Sequence, residues 1–423
     1  MTQATVRERR LTLPNGVHGA ADRNFVCAVS SFASMFPHRR FGGGALAVYL
    51  DGEAVVDVWT GWADRRGRLP WTADTAAMVF SATKGVASTV VHRLVDRGLI
   101  DYEAPVADYW PEFAAAGKAD ITVRDVMRHR AGLERLNGVS RAELMDHLAM
   151  EERLAAATPS RLRGKSAYHA LTYGWLLSGL ARAVTGKGMR QLIREEVAEP
   201  LGTDGVHLGR PPASSPTRVA QIIHPQLSIQ NPVFNLVAPW AATLPLAAGF
   251  GSLYFPGMRA AIQGDTPLLD GEIPSANGVA TARGLARMYG ALANGGQIDG
   301  RQYLSGELAA GLVGQRSLCP DRGLLLPVAF HLGYHTVPIP GVMPGFGHVG
   351  MGGCFGWASP ASGLAFAFVH NRLLTPFVFT DQAGFLATAA LIRRSATEAR
   401  RHGYQAVADF GAPFFPQAAP VAG

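Results

Sequence analysis

An α+β fold, with one sheet assembled from both ends of the chain, is predicted by two paired β-rich runs and the helical periodicity between them. Near the start, Ala45 to Leu50 and Ala54 to Thr60 flank Asp51-Gly52-Glu53, a hairpin signal. Near the end, Phe355 to Ala358 and Leu364 to Val369 flank Ser359-Pro360-Ala361-Ser362-Gly363, a second hairpin signal. Between them, Arg124 to His129, Thr172 to Val184 and Thr281 to Ala293 carry helical patterns separated by Gly/Pro-rich loops. Such an order predicts an antiparallel sheet built from the N- and C-terminal segments, flanked by helices, with a mostly helical region inserted. The expected division is 1–80 and 330–423 for the sheet part and 81–329 for the helical part, with the active site at their interface.

The remaining elements follow from periodicity. Phe25, Val26, Val29, Phe32 and Met35 repeat at helical spacing within Ala21 to Phe36. Val86, Val90 and Leu94 form one stripe between Ser81 and Gly98. A last helix, about Thr380 to Arg400, carries Phe385, Leu386 and Leu391 on an otherwise alanine-rich face. The Gly42-Gly43-Gly44 run lacks the Lys-Ser/Thr of a phosphate-binding loop and precedes a strand, so it reads as a glycine turn.

Composition excludes several function classes. With 48% apolar and 17% charged residues, the 423-residue chain has the balance of a globular protein with a large core. The formal charge of +7 is spread along the chain, and no basic run alternates with aromatics, so nucleic acid is not an expected partner. Cys27, Cys319 and Cys354 are too few and too scattered for a disulfide framework or metal cluster, and they fit a reducing compartment. Met1 to Asn24 has no apolar core of a secretory signal. The most apolar stretch, Pro232 to Pro256, is interrupted by Asn235, Pro239 and Pro245, so stable membrane insertion is not expected. The chain therefore reads as cytoplasmic. Phe234, Leu236, Trp240 and Leu244 in that stretch either line an acyl pocket or pack in the core.

The chemistry concentrates in three places. Ser81-Ala82-Thr83-Lys84 sets a hydroxyl and an amine one turn apart, in a chain with only four lysines. Serine needs a nearby base to become a nucleophile, and Lys84 at i+3 shares its helix face. The plainer alternative makes Ser81 a helix cap and Lys84 a surface residue. Phe80, Val86 and the small residues around them argue for a buried turn, where an unpaired lysine is costly. The second place is Gly164 to Tyr173, in which Tyr168 precedes an apolar helical run. A lysine ammonium beside Tyr168 would lower its pKa and make it a base, whereas Tyr173 reads as a packing residue. The third is Gly347-His348-Val349-Gly350-Met351-Gly352-Gly353, whose glycines let a substrate approach a strand edge.

Taken in order, these elements resemble the serine β-lactamase and penicillin-binding protein superfamily, with its S-x-x-K, Y-x-N and K-T-G signatures. The tyrosine in the second motif, and the absence of an identifiable deacylating glutamate, make the chain similar to the class C branch. It looks closer still to the family VIII carboxylesterases, whose third motif relaxes to H-x-G or W-G-G. Other stretches fit, among them Ile121 to Met127, Arg130-Ala131-Gly132-Leu133, Pro274 to Gly278, Gly352 to Trp357 and Leu364 to Phe368. The resemblance implies an α/β/α sandwich, no cofactor or metal, and a small-molecule ester substrate.

By position, it further implies Ser81 as the acyl-accepting nucleophile, with Lys84 and Tyr168 sharing the acid–base work. It places the oxyanion hole on the backbone N–H groups of Ser81 and Met351, and substrate-binding roles on His348 and Gly350. Which of Lys84 and Tyr168 takes the first proton stays open. Ala170 stands where lactamases carry an asparagine, and His348 where they carry a lysine that helps bind the β-lactam carboxylate. Losing both contacts should weaken recognition of a penicillin-like ligand. The expected function is therefore a serine carboxylesterase working through a Ser81 acyl-enzyme. The alternatives are an acyltransferase or amide/β-lactam hydrolase on the same machinery, or a non-catalytic ligand-binding member of the fold. Acyl chain length and oligomeric state are not readable.

Overall fold

The computed structural model describes residues 11–38, 41–136, 138–223, 261–262, 265–315, 318–337, 343–373 and 378–407. The Pro232 to Pro256 stretch, with Phe234, Leu236, Trp240 and Leu244, lies outside the described residues. Eight antiparallel strands form the main sheet: β1 (Val17–Ala21), β2 (Gly43–Leu50), β3 (Glu53–Gly61), β4 (Ala329–His331), β5 (Tyr334–Thr336), β6 (Phe346–Val349), β7 (Phe355–Ser359) and β8 (Leu364–His370). Their spatial order is β1-β3-β2-β8-β7-β6-β5-β4, so the two ends of the chain meet where β2 pairs with β8, from Leu50 opposite Leu364 to Gly44 opposite His370. The β2–β3 connection is the two-residue loop Asp51-Gly52, with φ of 51° and 83°. Left-handed conformations at both positions match the twist of the flanking strands.

Alternation along the strands sorts the side chains into two cores. Leu46, Val48, Leu50, Phe355, Trp357, Phe366 and Phe368 face helices α1 (Val26–Ser34) and α5 (Val378–His402). On the other side, Ala45, Ala47, Tyr49, Ala365, Ala367 and Val369 meet α4 (Ala282–Ala293), which packs on β2, β7 and β8. Small residues on this face let α4 come close: a Cβ on Gly356 would lie 2.1 Å from the Tyr289 ring. With both faces covered, β2 is buried at every position. The result is an antiparallel sheet between two helical layers.

The buried face of α5 differs from the one expected. It is formed by Ala389, Ile392, Ala396 and Ala399, while Leu391 is half-buried and Leu386 faces solvent. The side chain of Phe385 lies outside those described. Alanines allow a close approach to α1, and that contact outweighed the preference for burying the larger leucine.

Two further helices lie beneath the sheet. In α2 (Thr83–Asp96) every residue from Thr83 to His92 is buried, and it packs against α3 (Thr172–Thr185). A small second sheet pairs Thr75–Met78 with Gly278–Ala280, which in turn pairs with Val206–Leu208. It delivers the chain into the turn before α2. Among the described residues no helix is long and apolar enough to cross a membrane, and no cluster could hold a metal ion.

Strand β6 lies unusually close to β7. A Cβ on Gly347 would meet the Gly356 carbonyl oxygen at 2.2 Å and the Trp357 ring at 2.5 Å. Gly347→Ala is therefore expected to cost about 1–3 kcal/mol and lower the melting temperature by several degrees. The open position Gly311 has nothing within 4 Å, and Gly311→Ala should leave the melting temperature unchanged or slightly raised. Thermal unfolding followed by circular dichroism compares the two.

Candidate active site

Ser81 sits in a short 3-10 turn, Phe80–Ala82, that runs directly into α2. Phe80 holds a left-handed conformation, with φ of 48°. This strains a bulky residue by about 1–3 kcal/mol and has to be held from outside. The restraints are nearby: Val79 N–H donates to Gly278 O at 2.8 Å, and Thr83 Oγ1 donates to Phe80 O while accepting from Gly278 N–H. The second sheet thus clamps the turn on both sides of the serine.

Lys84 projects from the first turn of α2 onto the same side as Ser81 and is completely buried. Its Nζ lies 3.2 Å from Ser81 Oγ, 2.6 Å from Ala170 O and 3.0 Å from Ser275 O. Among the described residues no carboxylate faces it, and burial pushes its pKa well below the ordinary lysine value of 10.5. A neutral amine has two N–H donors and one lone pair. In that form, with the two carbonyls taking the donors, the lone pair would face the serine hydroxyl.

The two carbonyls come from segments that are themselves tied together. Ser275 Oγ donates to Leu171 O and accepts the Gly174 N–H at 2.6 Å, and a Cβ on Gly174 would lie 2.4 Å from Ser275 N. The Pro274 to Gly278 stretch therefore reaches the site through a main-chain carbonyl, a role that side-chain chemistry does not announce.

Tyr168 is buried against Phe330, their rings stacked at 5.3 Å, with His129 at 5.0 Å. Its ring lies 4.9 Å from Lys84 Nζ, and its hydroxyl interacts with that of Ser81. The expected lowering of its pKa is not what this environment produces. Burial pushes the Tyr168 hydroxyl above its ordinary value, a shift the Ser81 hydroxyl only partly offsets. Lys84, itself shifted toward its neutral form by burial, does not lower that pKa. Tyr173 packs in the core, with its hydroxyl 2.7 Å from Ser88 Oγ.

His348 lies inside the site wall, with Nδ1 3.1 Å from Val349 O and Nε2 without a partner among the described residues. Burial pushes its pKa well below 6.5. The position where lactamases carry a cation is neutral here. Gly350 supplies proximity: its N–H donates to Cys354 O at 2.7 Å, and a Cβ on it would lie 2.1 Å from Val79 O. That contact brings the turn carrying Met351 against the residues preceding Ser81. Met351 follows Gly350 in this turn, whose other bond runs from Gly353 N–H to Gly350 O.

Asp321 was not singled out from the sequence. Completely buried, it accepts from Tyr168 N–H at 3.0 Å, Ser166 Oγ at 2.7 Å and the N–H groups of Gly323 and Leu324 at 2.9 Å each. It closes a loop onto the residues that place Tyr168. Only its Pro-Asp-x-Gly setting hints at a turn, and nothing in the sequence says what that turn holds.

A serine hydroxyl beside a desolvated lysine, on an antiparallel sheet between two helical layers, is an arrangement suited to acyl transfer, and the fold agrees with what the chain is similar to. Residues 22–391 match the Beta-lactamase family model, and the chain belongs to that family. It is 66% identical over 399 residues to "Esterase/beta-lactamase LipL" of Mycobacterium tuberculosis (strain ATCC 25618 / H37Rv), covering 94% of this chain and 93% of that protein. Among solved structures, a family VIII carboxylesterase superposes with a TM-score of 0.74 at 33% identity, covering 89% of this chain and 99% of its own. A penicillin-binding protein homolog from Caulobacter crescentus gives a TM-score of 0.74 at 32% identity, covering 90% and 99%. The chain is thus a member of the esterase/β-lactamase-like serine hydrolases.

Asp321→Ala would leave four donors without their acceptor, two of them, the Tyr168 and Gly323 N–H groups, buried. Turnover on a chromogenic ester is expected to fall about tenfold or more, whereas Asp321→Asn, which keeps one acceptor oxygen, should retain more activity. Steady-state kinetics of the two variants, alongside their melting temperatures, checks this.

Proposed function

We propose that the protein is a serine carboxylesterase that cleaves small carboxylic esters through a Ser81 acyl-enzyme. The observation that carries the reading is the Lys84 amine, desolvated and held by two carbonyls at 2.6 Å and 3.0 Å, facing the Ser81 hydroxyl. In this reading Lys84 takes the first proton and Ser81 Oγ attacks the ester carbonyl. The negative charge that develops on the carbonyl oxygen is held by the N–H groups of Ser81 and Met351. Ser81 lies in the first turn of its helix, where N–H groups have no intrahelical acceptor. The tetrahedral species collapses, and the departing alkoxide receives a proton relayed from Lys84 through the neutral Tyr168 hydroxyl. Water then repeats the attack on the acyl-serine, releasing the acid and restoring Ser81. The site lies between the sheet part (1–80 and 330–423) and the helical part (81–329), as the chain order suggests.

A second substrate class has a specific argument. The relative at 66% identity is named for both esterase and β-lactamase, so β-lactam hydrolysis on the same serine is the competing reading. Against it stand the neutral His348, which offers a lactam carboxylate no positive charge, and the alanine side chain at position 170. A cytoplasmic location, suggested by cysteine usage, also sets it apart from enzymes that meet β-lactams outside the membrane.

Ser81→Ala is expected to lower kcat/KM on 4-nitrophenyl butyrate by about 10³-fold or more, and turnover of a chromogenic cephalosporin by wild type should be at least about tenfold slower than of the ester. Retained ester hydrolysis in Ser81→Ala would refute the acyl-enzyme. The pH profile gives a separate check. The rate follows the neutral fraction of Lys84, whose pKa is lowered, so kcat/KM should rise with pH and level off below the ordinary lysine value of 10.5. The raised Tyr168 pKa predicts no falling limb below 10.0. Initial rates across the pH range, corrected for spontaneous ester hydrolysis, test both limbs.

A further inference from the structure

Beside the site, the loop that Asp321 anchors divides its apolar residues between two directions. Leu324 and Val328 pack against Tyr168 and Phe330. Leu325 and Leu326 turn outward and are 69% and 56% exposed, and Leu318 at the start of the same loop is 80% exposed. At Leu325 the backbone is left-handed, with φ of 57°, a strained way to present a leucine to water. Large apolar side chains grouped on the surface mark an interaction site.

The same face is basic. Two surface depressions adjoin this loop and share Lys165 and Arg322 on their rims. One adds Arg161 and Leu325, and the other adds Arg128, Arg130 and Val313. Among the described residues none of Arg128, Arg130, Arg161, Lys165 or Arg322 has a carboxylate within ion-pair distance, whereas many other arginines in the protein are so paired. The second depression has no acidic residue in its lining, and the only one in the first, Glu134, is buried. Unpaired cations lining the depressions beside this loop, together with its outward leucines, call for a partner that supplies negative charge and apolar volume together. A soluble polyanion would use the arginines and leave the leucines in water. An anionic bilayer satisfies both, with headgroup phosphates meeting the cations and leucines entering the acyl boundary.

We propose that the face formed by Leu318, Leu325 and Leu326 with Arg128, Lys165 and Arg322 docks on an anionic phospholipid surface. Docking is peripheral and places the loop next to Tyr168 at the lipid–water boundary. The proposal stands apart from the chemistry at Ser81, because its readout is vesicle binding.

The test is co-sedimentation of the full chain with vesicles of phosphatidylcholine alone and of roughly equal parts phosphatidylcholine and phosphatidylglycerol, at low and high salt. Wild type is expected to bind the anionic vesicles at least about tenfold more tightly, with the preference lost at high salt. Arg322→Glu/Lys165→Glu should weaken anionic binding about tenfold or more. Leu318→Ser/Leu325→Asn/Leu326→Ser should weaken it comparably at low salt while hydrolysis of dissolved 4-nitrophenyl butyrate stays within about twofold of wild type, which shows that the fold is intact. Absence of binding to anionic vesicles, or equal binding to both compositions, overturns the proposal. Undiminished binding by the leucine variant also overturns it, and assigns the cations to a soluble polyanion or an acidic protein instead.

Discussion

A single desolvated amine governs the arrangement around it. Among the described residues Lys84 is one of the largest fully buried side chains and has no acidic partner. A charged ammonium there would forfeit its hydration without a counter-ion, so the interior selects the uncharged form. Two main-chain carbonyls, from Ala170 and Ser275, then fix its orientation. Those carbonyls are in place because Gly174 lets α3 touch the Ser275 segment, a contact that any side chain at 174 would break. The reactivity expected of Ser81 is thus a property of helix packing as much as of the motif that contains it.

How much of this was legible depends on which atoms carry the information. The hairpin at Asp51-Gly52 and the strand pairs at both ends stand out because alternation and turn chemistry are local. Ser81 and Lys84 stand out because i+3 spacing needs no tertiary knowledge. The electrostatics of Tyr168 are not local: burial against Phe330, distant in sequence, raises its pKa, and Asp321 adds to that rise. The carbonyl of Ser275 and the clasp of Asp321 are hidden for another reason. One acts through the backbone, which every residue has, and the other through a loop whose destination no periodicity encodes. The exposed Leu386 belongs here too, since hydrophobicity alone favoured burying it, and the alanine contact with α1 decided otherwise.

The glycines around the third motif make a related point. Gly347 and Gly350 matter less for conformational freedom than for the space they leave. One lets β6 press against β7, and the other seats the turn carrying Met351 on the carbonyl of Val79. A strand edge and a helix start, far apart in the chain, are brought to within one backbone's thickness of each other. The strained conformation at Phe80 is held between them and the second sheet.

The uncharged His348 has a consequence for the end of the proposed cycle. Ester hydrolysis turns a neutral acyl group into a carboxylate, and a cation in the wall would hold that carboxylate after the chemistry is over. Here the wall holds an imidazole that burial keeps neutral, beside an amine that burial shifts toward its neutral form. The newly formed anion is surrounded by desolvated, uncharged groups and is better solvated by water outside. In the proposed cycle the product acid gives its proton to water as it leaves, and the pocket would release the anion by being a poorer solvent for it than bulk water.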